Sequence, residues 1–151
     1  MLTGVDHVQL AAPPGSEDAL RAYYTGVLGM RELSKPPVLA ARGGCWFAVG
    51  AVQLHLGVEE DFRPARKAHP GLRVRGIEEY ARGLQERGAR VVWDGDLPGH
   101  KRFYSEDPVG NRLEFLEPYV PDVPVPDAHG SAAHGFDAHG PGGCGPGGRR
   151  P

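Results

Sequence analysis

Four side chains of types that commonly bind metal ions lie at corresponding places in two halves of the sequence. His7 and His55 are 48 residues apart, and His69 and Glu114 are 45 residues apart. Imidazole and carboxylate groups together suit Zn, Ni, Fe or Mn, and no cysteine accompanies them as it would in a structural zinc site. Protein ligands that leave open positions on an ion indicate a catalytic site. We therefore predict that these four residues surround one divalent metal ion per site.

Two similar series of strands and helices must position these residues. The first half reads as strand VDHVQLA, helix SEDALRAYYTGVLG and strands near MREL, CWFAV and AVQLHLG. The second reads as strand HPGLRV, helix GIEEYARGLQERG and strands near ARVVW, RFYS and NRLEFLE. Each half predicts a βαβββ module, with module one over residues 1–60 and module two over 66–120. If the modules pack about a pseudo-twofold axis, the four side chains converge at the middle of a shared concave sheet.

The hydrophobic pattern predicts which face of each element is buried. Apolar residues recur at helical spacing in both predicted helices, of which the first begins after Ser16 as N-cap and ends at Gly29, and the second ends at Gly88. The strands alternate with period two, so Gln53 and His55 share a face opposite their apolar neighbours. The fold class predicted is α+β, a concave mixed-sheet cup with helices on its outer face.

Length and charge restrict the organisation and the partners. A chain of 151 residues is long enough for one core and short for two ordinary domains. The formal net charge is −2 and the basic residues are scattered, which argues against nucleic acid as a partner. No apolar run approaches the roughly 18 residues of a membrane span, and the first residues do not resemble a secretion signal. We expect a cytoplasmic protein.

Composition changes abruptly after Glu117. Residues 121–151 are rich in Gly, Pro and His and contain almost no large apolar side chain after Val125. Such a segment cannot bury enough surface to offset its ordering entropy. We therefore predict a domain over residues 1–120 followed by a disordered tail over 121–151. Cys45 in a strand and Cys144 in the tail are not expected to form a disulfide, and Cys45 is expected to be a small core or cup residue.

The sequence resembles the vicinal oxygen chelate superfamily over residues 1 to about 118. The segments that carry the resemblance are DHVQLA, YYTGVLGM, QLHLGVE, AHPGLRV and EDPVGNRLEFLE. The last segment is the most diagnostic, because a turn of the DPxGN type leads directly into the strand that supplies a carboxylate. The superfamily contains glyoxalase I, extradiol dioxygenases, fosfomycin-resistance proteins and bleomycin-binding proteins.

The resemblance implies a metal ion that chelates vicinal oxygens of a substrate. His7, His69 and Glu114 match the superfamily's common ligand set of two histidines and one carboxylate. His55 stands where glyoxalase I usually has a glutamate, and it can be a fourth ligand, a neighbour of the ligands or a proton-transfer group. Similar members generally pair as homodimers with sites between subunits, so we expect a homodimer. The ligands of one site can come from one chain or from two.

The leading functional hypothesis is a metal-dependent lyase or isomerase of glyoxalase type. Its small-molecule substrate would carry adjacent oxygens, as an α-hydroxycarbonyl or a hemithioacetal does. The ion would polarise the carbonyl, while Glu114 or His55 would move a proton between carbons. Lys101 and Arg102 are expected to be solvated. The side chains predicted to line the substrate cup are Gln9, Trp46, Gln53, Arg73 and Tyr104.

Three other functions are compatible with the resemblance. A dimeric drug- or metabolite-binding protein of the bleomycin-binding type would not need His7, His69 and Glu114 together. A fosfomycin-type thiol transferase would share Tyr104, but the lysine and serine that neutralise a phosphonate are replaced here by WDGDLPGH. An extradiol dioxygenase would share the three ligands and require Fe(II) or Mn(II), but it typically has two module pairs in one chain.

Overall fold

The computed structural model describes residues 1–119, which form two successive modules. The elements of the first are β1 (Val8–Ala12), α1 (Glu17–Arg21), a π-helical turn (Ala22–Val27), β2 (Arg31–Leu33), α2 (Pro37–Ala40), β3 (Cys45–Val49) and β4 (Val52–Val58). Those of the second are β5 (Gly71–Arg73), α3 (Ile77–Glu86), β6 (Val92–Asp94), β7 (His100–Glu106) and β8 (Arg112–Pro118). Within residues 1–119, none of the helices has the length and hydrophobicity of a transmembrane helix. The predicted tail, with Cys144, lies outside the described residues.

The two four-stranded sheets have the same topology. Their strand orders are β1-β4-β3-β2 and β5-β8-β7-β6, and in each the first strand of the module pairs in parallel with the last while the other pairs are antiparallel. The repeat of a mixed sheet confirms the predicted α+β fold of two βαβββ modules. His7 directly precedes β1 and His69 lies two residues before β5, so both ligand candidates lie at the entry to a first strand.

The first helix differs from the prediction. Ser16 occupies the N-cap position as predicted, but its side chain makes no capping hydrogen bond, and its hydroxyl instead donates to the carbonyl oxygen of Pro13 at 2.7 Å. After one α-helical turn the chain widens into the π-helical turn at Ala22–Val27, and Gly29 ends the helix as predicted, with a φ of 72°. A π-helical turn has no simple sequence signature, since it depends on the packing of its side chains.

The second helix agrees with its prediction in extent, but its first turn is stabilised from a distance. Its N-cap residue, Gly76, has no side chain to accept a hydrogen bond. The Glu117 carboxylate accepts hydrogen bonds from the backbone N–H groups of Gly76 and Ile77, both at 2.9 Å. These bonds lower the pKa of Glu117. A carboxylate on the last strand therefore caps the helix and compensates its dipole.

The apolar faces of both sheets pack into one shared core. Its largest buried side chains include Phe47 and Leu54 of the first sheet, and Phe103 and Phe115 of the second. Cys45 is buried there, and burial raises the pKa of its thiol to about 11. Because residues alternate along a strand, the intervening side chains point away from the core. With the histidines that precede β1 and β5, we call these surfaces the first polar face (His7, Gln9, Trp46, Gln53 and His55) and the second polar face (His69, Arg102, Tyr104, Arg112 and Glu114).

Buried hydrogen bonds join the modules through the turn before β8. Tyr24, which is fully buried, donates a hydrogen bond from its hydroxyl to Asp107 Oδ2 at 3.1 Å. Asn111 Nδ2 donates to the carbonyl oxygen of Ala11 at 2.9 Å. Burial raises the pKa of the Asp107 carboxyl, although the backbone and side-chain N–H groups of Asn111 oppose the shift. The modules are therefore joined by polar contacts as well as by the core.

A second buried contact lies beside the first. The hydroxyl groups of Tyr23 and Ser105 are 3.3 Å apart and share a hydrogen bond. Burial raises the pKa of Tyr23 to about 12. The π-helical turn thus places two neighbouring tyrosines against the second module.

Candidate active site

Three aromatic rings are stacked on the first polar face. His55 lies in the middle, with its ring centroid 4.1 Å from that of His7 and 4.2 Å from that of Trp46. Trp46 is the residue opposite His55 in the β3–β4 register, which explains the contact. The Nε2 atom of His55 is buried and has no hydrogen-bond partner within residues 1–119. A buried polar atom without a partner is costly, so this nitrogen needs an explanation.

The environment of His55 favours its neutral imidazole form. Burial lowers the pKa of His55, and the neighbouring His7 ring lowers it further. His7 Nδ1 lies 2.8 Å from Asp6 Oδ1, which orients the ring and leaves its Nε2 atom available. Neutral histidines held through one nitrogen by a carboxylate are typical of metal ligands. Both rings therefore have the chemistry that a divalent ion requires.

The second polar face brings His69 and Glu114 together. His69 Nδ1 donates a hydrogen bond to the carbonyl oxygen of Lys67 at 2.5 Å, which assigns a proton to that nitrogen. The opposite nitrogen, Nε2, lies 3.5 Å from Glu114 Oε2. In the neutral ring these two atoms are both acceptors, so only a second proton or a cation between them makes the approach favourable.

The other carboxylate oxygen of Glu114 is bound by its neighbours. Arg102 Nη1 donates to Glu114 Oε1 at 2.9 Å, and the Tyr104 hydroxyl lies 3.5 Å from the same oxygen. Arg102 also contacts Asp94 Oδ1 at 2.6 Å, and its side chain is only 16% exposed. The expectation that Arg102 is solvated is therefore wrong. Alternation along β7 could have placed Arg102 on the same face as Tyr104.

The two pairs of predicted ligands do not meet within this chain. His7 lies beside His55, and His69 lies beside Glu114, but residues 1–119 contain no group of three or more His, Cys, Asp or Glu side chains that could hold a metal ion. The reason is the shared core, from which both polar faces point away. One described chain thus presents two pairs of donors on separate faces.

The residues predicted to line the substrate cup fall into three groups. Trp46 and Tyr104 contact predicted ligands directly. Gln9 and Gln53 lie on the first polar face, where Gln9 is exposed and Gln53 half-buried. Arg73 is exposed on β5 and borders a separate small cavity of about 60 Å³. Of the five predicted cup residues, Arg73 is therefore the one that neither contacts a predicted ligand nor belongs to either polar face.

A larger cavity of about 780 Å³ adjoins the second polar face and includes Tyr104 in its wall. The sequence prediction missed its basic residues. Arg63 and Arg66 come from the segment between the modules, while Arg90 and Arg112 come from the second module. The arginines are scattered along the sequence, so the only available signal was Arg112, which alternation places on the same face as the predicted carboxylate ligand.

Comparison with solved structures identifies the family. The chain is 47% identical to a glyoxalase family protein from Bacillus anthracis, with 78% of this chain and 97% of that chain covered and a TM-score of 0.76. The chain therefore belongs to the glyoxalase family, within the vicinal oxygen chelate superfamily, as the sequence resemblance predicted. No family model and no curated protein matches the sequence.

Two more distant structures share the fold. TnmS3, an antibiotic binding protein from Streptomyces sp. CB03234, is 21% identical, with 78% of this chain and 97% of that chain covered and a TM-score of 0.61. A variant of the fosfomycin resistance protein FosX from Listeria monocytogenes, in complex with Mn(II) and 1S,2S-dihydroxypropylphosphonic acid, is 13% identical, with 76% and 90% covered and a TM-score of 0.60. The fold therefore occurs both in a protein that binds an antibiotic and in one crystallised with a metal ion.

Proposed function

We propose that this protein is a metal-dependent enzyme of glyoxalase type, a lyase or isomerase acting on a small molecule with vicinal oxygens. The observation that carries the proposal is the 3.5 Å approach of His69 Nε2 to Glu114 Oε2, with the other nitrogen of the ring already held by a backbone carbonyl. A divalent cation bound between them would satisfy both atoms.

The residues present fit such an ion. The unpartnered, buried Nε2 of His55 supports the same interpretation on the first polar face. His7, His69 and Glu114 would hold the ion, with His55 as a fourth ligand or as their neighbour. Zn, Ni, Fe and Mn are all compatible with imidazole and carboxylate donors. When bound, the ion would supply Lewis acidity that polarises a substrate carbonyl.

The side chains around the ligands have separate roles in this proposal. His55 is available as a proton acceptor near neutral pH, because burial holds its pKa below the usual range. Arg102 holds the Glu114 carboxylate through Oε1 and leaves Oε2 directed at His69. Trp46 would exclude water from the ring stack and contribute an apolar wall for the substrate.

Separate polar faces support a homodimer in which each site uses both chains. A single chain offers His7 with His55 and, on another face, His69 with Glu114. A second copy related by twofold symmetry could bring the first polar face of one chain to the second polar face of the other, twice. Both metal sites of the dimer would then be complete, which one chain alone does not achieve within residues 1–119.

Metal analysis tests the catalytic proposal. Full-length protein without an affinity tag should contain about one equivalent of a divalent metal per chain by mass spectrometry, and Glu114→Gln should retain little. Glu59→Gln, which changes an exposed carboxylate, is the control. The tail histidines are the same in all three proteins, so they do not confound the difference. Equal metal content in the two variants would overturn the metal site.

Mixing two inactive variants tests the shared site. If each site uses two chains, unfolding and refolding His7→Ala together with Glu114→Ala should restore metal binding to about one quarter of wild-type sites, because each mixed dimer has one intact site. If each site uses one chain, every site keeps a substitution and mixing restores nothing. Light scattering of the mixture should report a dimer in the first case.

The ion pair between Arg102 and Glu114 favours a second candidate function. Arg102 competes with a metal ion for the carboxylate, and Trp46 offers a stacking surface for an aromatic ligand. Together they suit a protein that binds a drug or metabolite without turnover. Failure of the wild-type protein to bind Zn, Ni, Mn or Fe(II) after reconstitution, together with quenching of Trp46 fluorescence by an aromatic ligand, would favour this function over the enzyme.

A further inference from the structure

The cavity of about 780 Å³ beside the second polar face has a strongly basic wall. We propose that it binds an anionic oxygen group of the substrate, a carboxylate or a phosphoryl group, next to the place where the vicinal oxygens would bind. The part of this inference that concerns the substrate rests on the proposed function. The anion site itself depends only on the charges and geometry of the cavity.

The charge balance of the lining residues supports an anion. Arg63, Arg66, Arg90 and Arg112 line the cavity, and Glu106 is the one acidic residue among the lining residues described. Arg90 Nη1 contacts Glu106 Oε1 at 3.5 Å, which leaves the other three arginines without an ion pair within residues 1–119. Guanidinium groups bind carboxylate and phosphoryl oxygens through paired hydrogen bonds. The cavity therefore has a net positive wall whose charge is not compensated inside the described fold.

Arg112 is fixed in place before any anion arrives. Its guanidinium lies over the Tyr104 ring, 3.7 Å from the centroid. Its Nη1 atom also donates a hydrogen bond to the carbonyl oxygen of Arg66 at 3.4 Å. A side chain held by stacking and by a backbone contact loses less freedom on binding. Its remaining N–H groups can therefore receive an anion at low entropic cost.

Tyr104 connects the cavity with the predicted metal ligands. It lines the cavity, its hydroxyl is 3.5 Å from Glu114 Oε1, and its ring lies edge-on to His69 with centroids 5.5 Å apart. A small molecule whose anionic group contacts Arg112 would therefore extend along Tyr104 towards Glu114. The cavity volume lies within the usual range for small-molecule sites.

The segment between the modules lines the cavity, and its Pro64 side chain packs closely against Gly110. Gly110 has a φ of +91°, and a Cβ atom built there would lie 3.2 Å from Pro64 Cγ. A glycine at this turn therefore allows Pro64 to pack against it. Because Pro64 lies between Arg63 and Arg66 in sequence, this contact also positions the two exposed arginines at the cavity.

Calorimetry of the as-purified full chain with succinate and with inorganic phosphate tests the proposal. We expect at least one of these anions to bind, the neutral analogue succinamide not to bind, and added salt to weaken binding. The double variant Arg63→Gln/Arg66→Gln should bind the anion about tenfold more weakly or worse. Arg31→Gln/Arg42→Gln removes the same charge from exposed positions outside the cavity and should bind as the wild type does.

The relative affinities distinguish the two anion sources. Tighter succinate binding would indicate a carboxylate substrate, and tighter phosphate binding would indicate a phosphoryl substrate. Absence of binding by both anions, or equal weakening in the two double variants, would overturn the anion site. Repeating the titration after EDTA treatment separates this proposal from the preceding one. Anion binding without any metal site would leave the cavity in place, and a metal site without anion binding would leave only the enzyme proposal.

Discussion

On the first polar face, His7, His55 and Trp46 form a stack of three aromatic rings, in which the buried Nε2 atom of His55 has no partner within residues 1–119. On the second, Glu114 is held by Arg102 in a network of ion pairs and hydrogen bonds. Both faces belong to modules with the same βαβββ topology. The difference indicates that repeated topology reproduces the positions of the donors but leaves their electrostatic surroundings free to diverge.

The two surroundings have opposite energetic consequences in metal-free protein. An unsatisfied buried polar atom costs about 1–3 kcal/mol, so the first polar face should reduce stability. The second has its charges paired, so removing one partner should reduce stability there. Metal binding would relieve the cost on the first face. On the second face it would satisfy His69 Nε2 and Glu114 Oε2 but compete with Arg102 for the carboxylate. Substitutions of predicted ligands should therefore change the free energy of unfolding of metal-free protein in opposite directions on the two faces.

The largest expected effect concerns the contact that joins the two modules. Above a pH of about 10 an unfolded tyrosine loses its proton, whereas buried Tyr23 keeps its proton because its pKa is about 12. The stability that Tyr23 contributes is therefore complete below pH 10 and is lost as pH rises towards 12, a loss of about 2–3 kcal/mol. Urea unfolding between about pH 8 and pH 11.5 should show a weaker pH dependence in Tyr23→Phe. Tyr119→Phe, at an exposed position, should behave as wild type.

The next effect concerns the charged surroundings of the second polar face. In EDTA, Glu114→Gln should lower the free energy of unfolding by about 2 kcal/mol, because mostly buried Arg102 loses one of its two carboxylate partners. Glu106→Gln breaks an exposed pair with Arg90 and should change it by less than about 0.5 kcal/mol. Denaturant unfolding measures both. Similar losses in the two variants would remove the contrast between buried and exposed pairs.

A smaller effect of opposite sign is expected on the first polar face. His55→Phe keeps the aromatic stack and removes the unpartnered nitrogen, so it should raise the metal-free unfolding free energy by about 1 kcal/mol while weakening metal binding. His69→Phe loses the hydrogen bond to Lys67 and should lower the unfolding free energy. Thermal and urea unfolding in EDTA compare the two. A loss of stability in both variants would contradict the proposed difference.

The smallest effect compares two glycines that face polar side chains. A Cβ at Gly71 would lie 3.2 Å from Glu114 Oε2, so Gly71→Ala should displace the carboxylate slightly and weaken metal binding about threefold. A Cβ at Gly57 would lie 2.7 Å from Nε2 of Gln9, a side-chain end that can rotate away. Gly57→Ala should leave metal affinity unchanged. Competition with a metal indicator measures both, and equal effects would show that Glu114 is not sensitive to this position.

The pairing of His7 with His55 and of His69 with Glu114 could be predicted from sequence, because strand periodicity and the repeat determine which residues are neighbours. The separation of the pairs could not be predicted. Whether two amphipathic modules share a core or face each other depends on packing between elements distant in sequence. The same alternation, applied to β7, would have placed Arg102 on the face of Glu114. The wrong expectation that Arg102 is solvated came from treating a charged residue as solvated by default.

The arginine cavity illustrates a different limit. Arg63 and Arg66 lie in a segment without regular structure, and their position depends on the packing of Pro64 against Gly110. Neither periodicity nor repeat symmetry carries information about such a segment. The π-helical turn is a similar case, since the side chains of Tyr23 and Tyr24 reach Ser105 and Asp107 only through tertiary contacts.

The buried bonds between Tyr24 and Asp107 and between Asn111 and the Ala11 carbonyl bear on how such a repeat can arise. A chain of one module would expose the apolar side of its sheet and leave a buried hydroxyl without an acceptor. It could satisfy both only by pairing with another copy of itself. As separate chains the two modules would therefore be obligate partners, and the single polypeptide keeps them together.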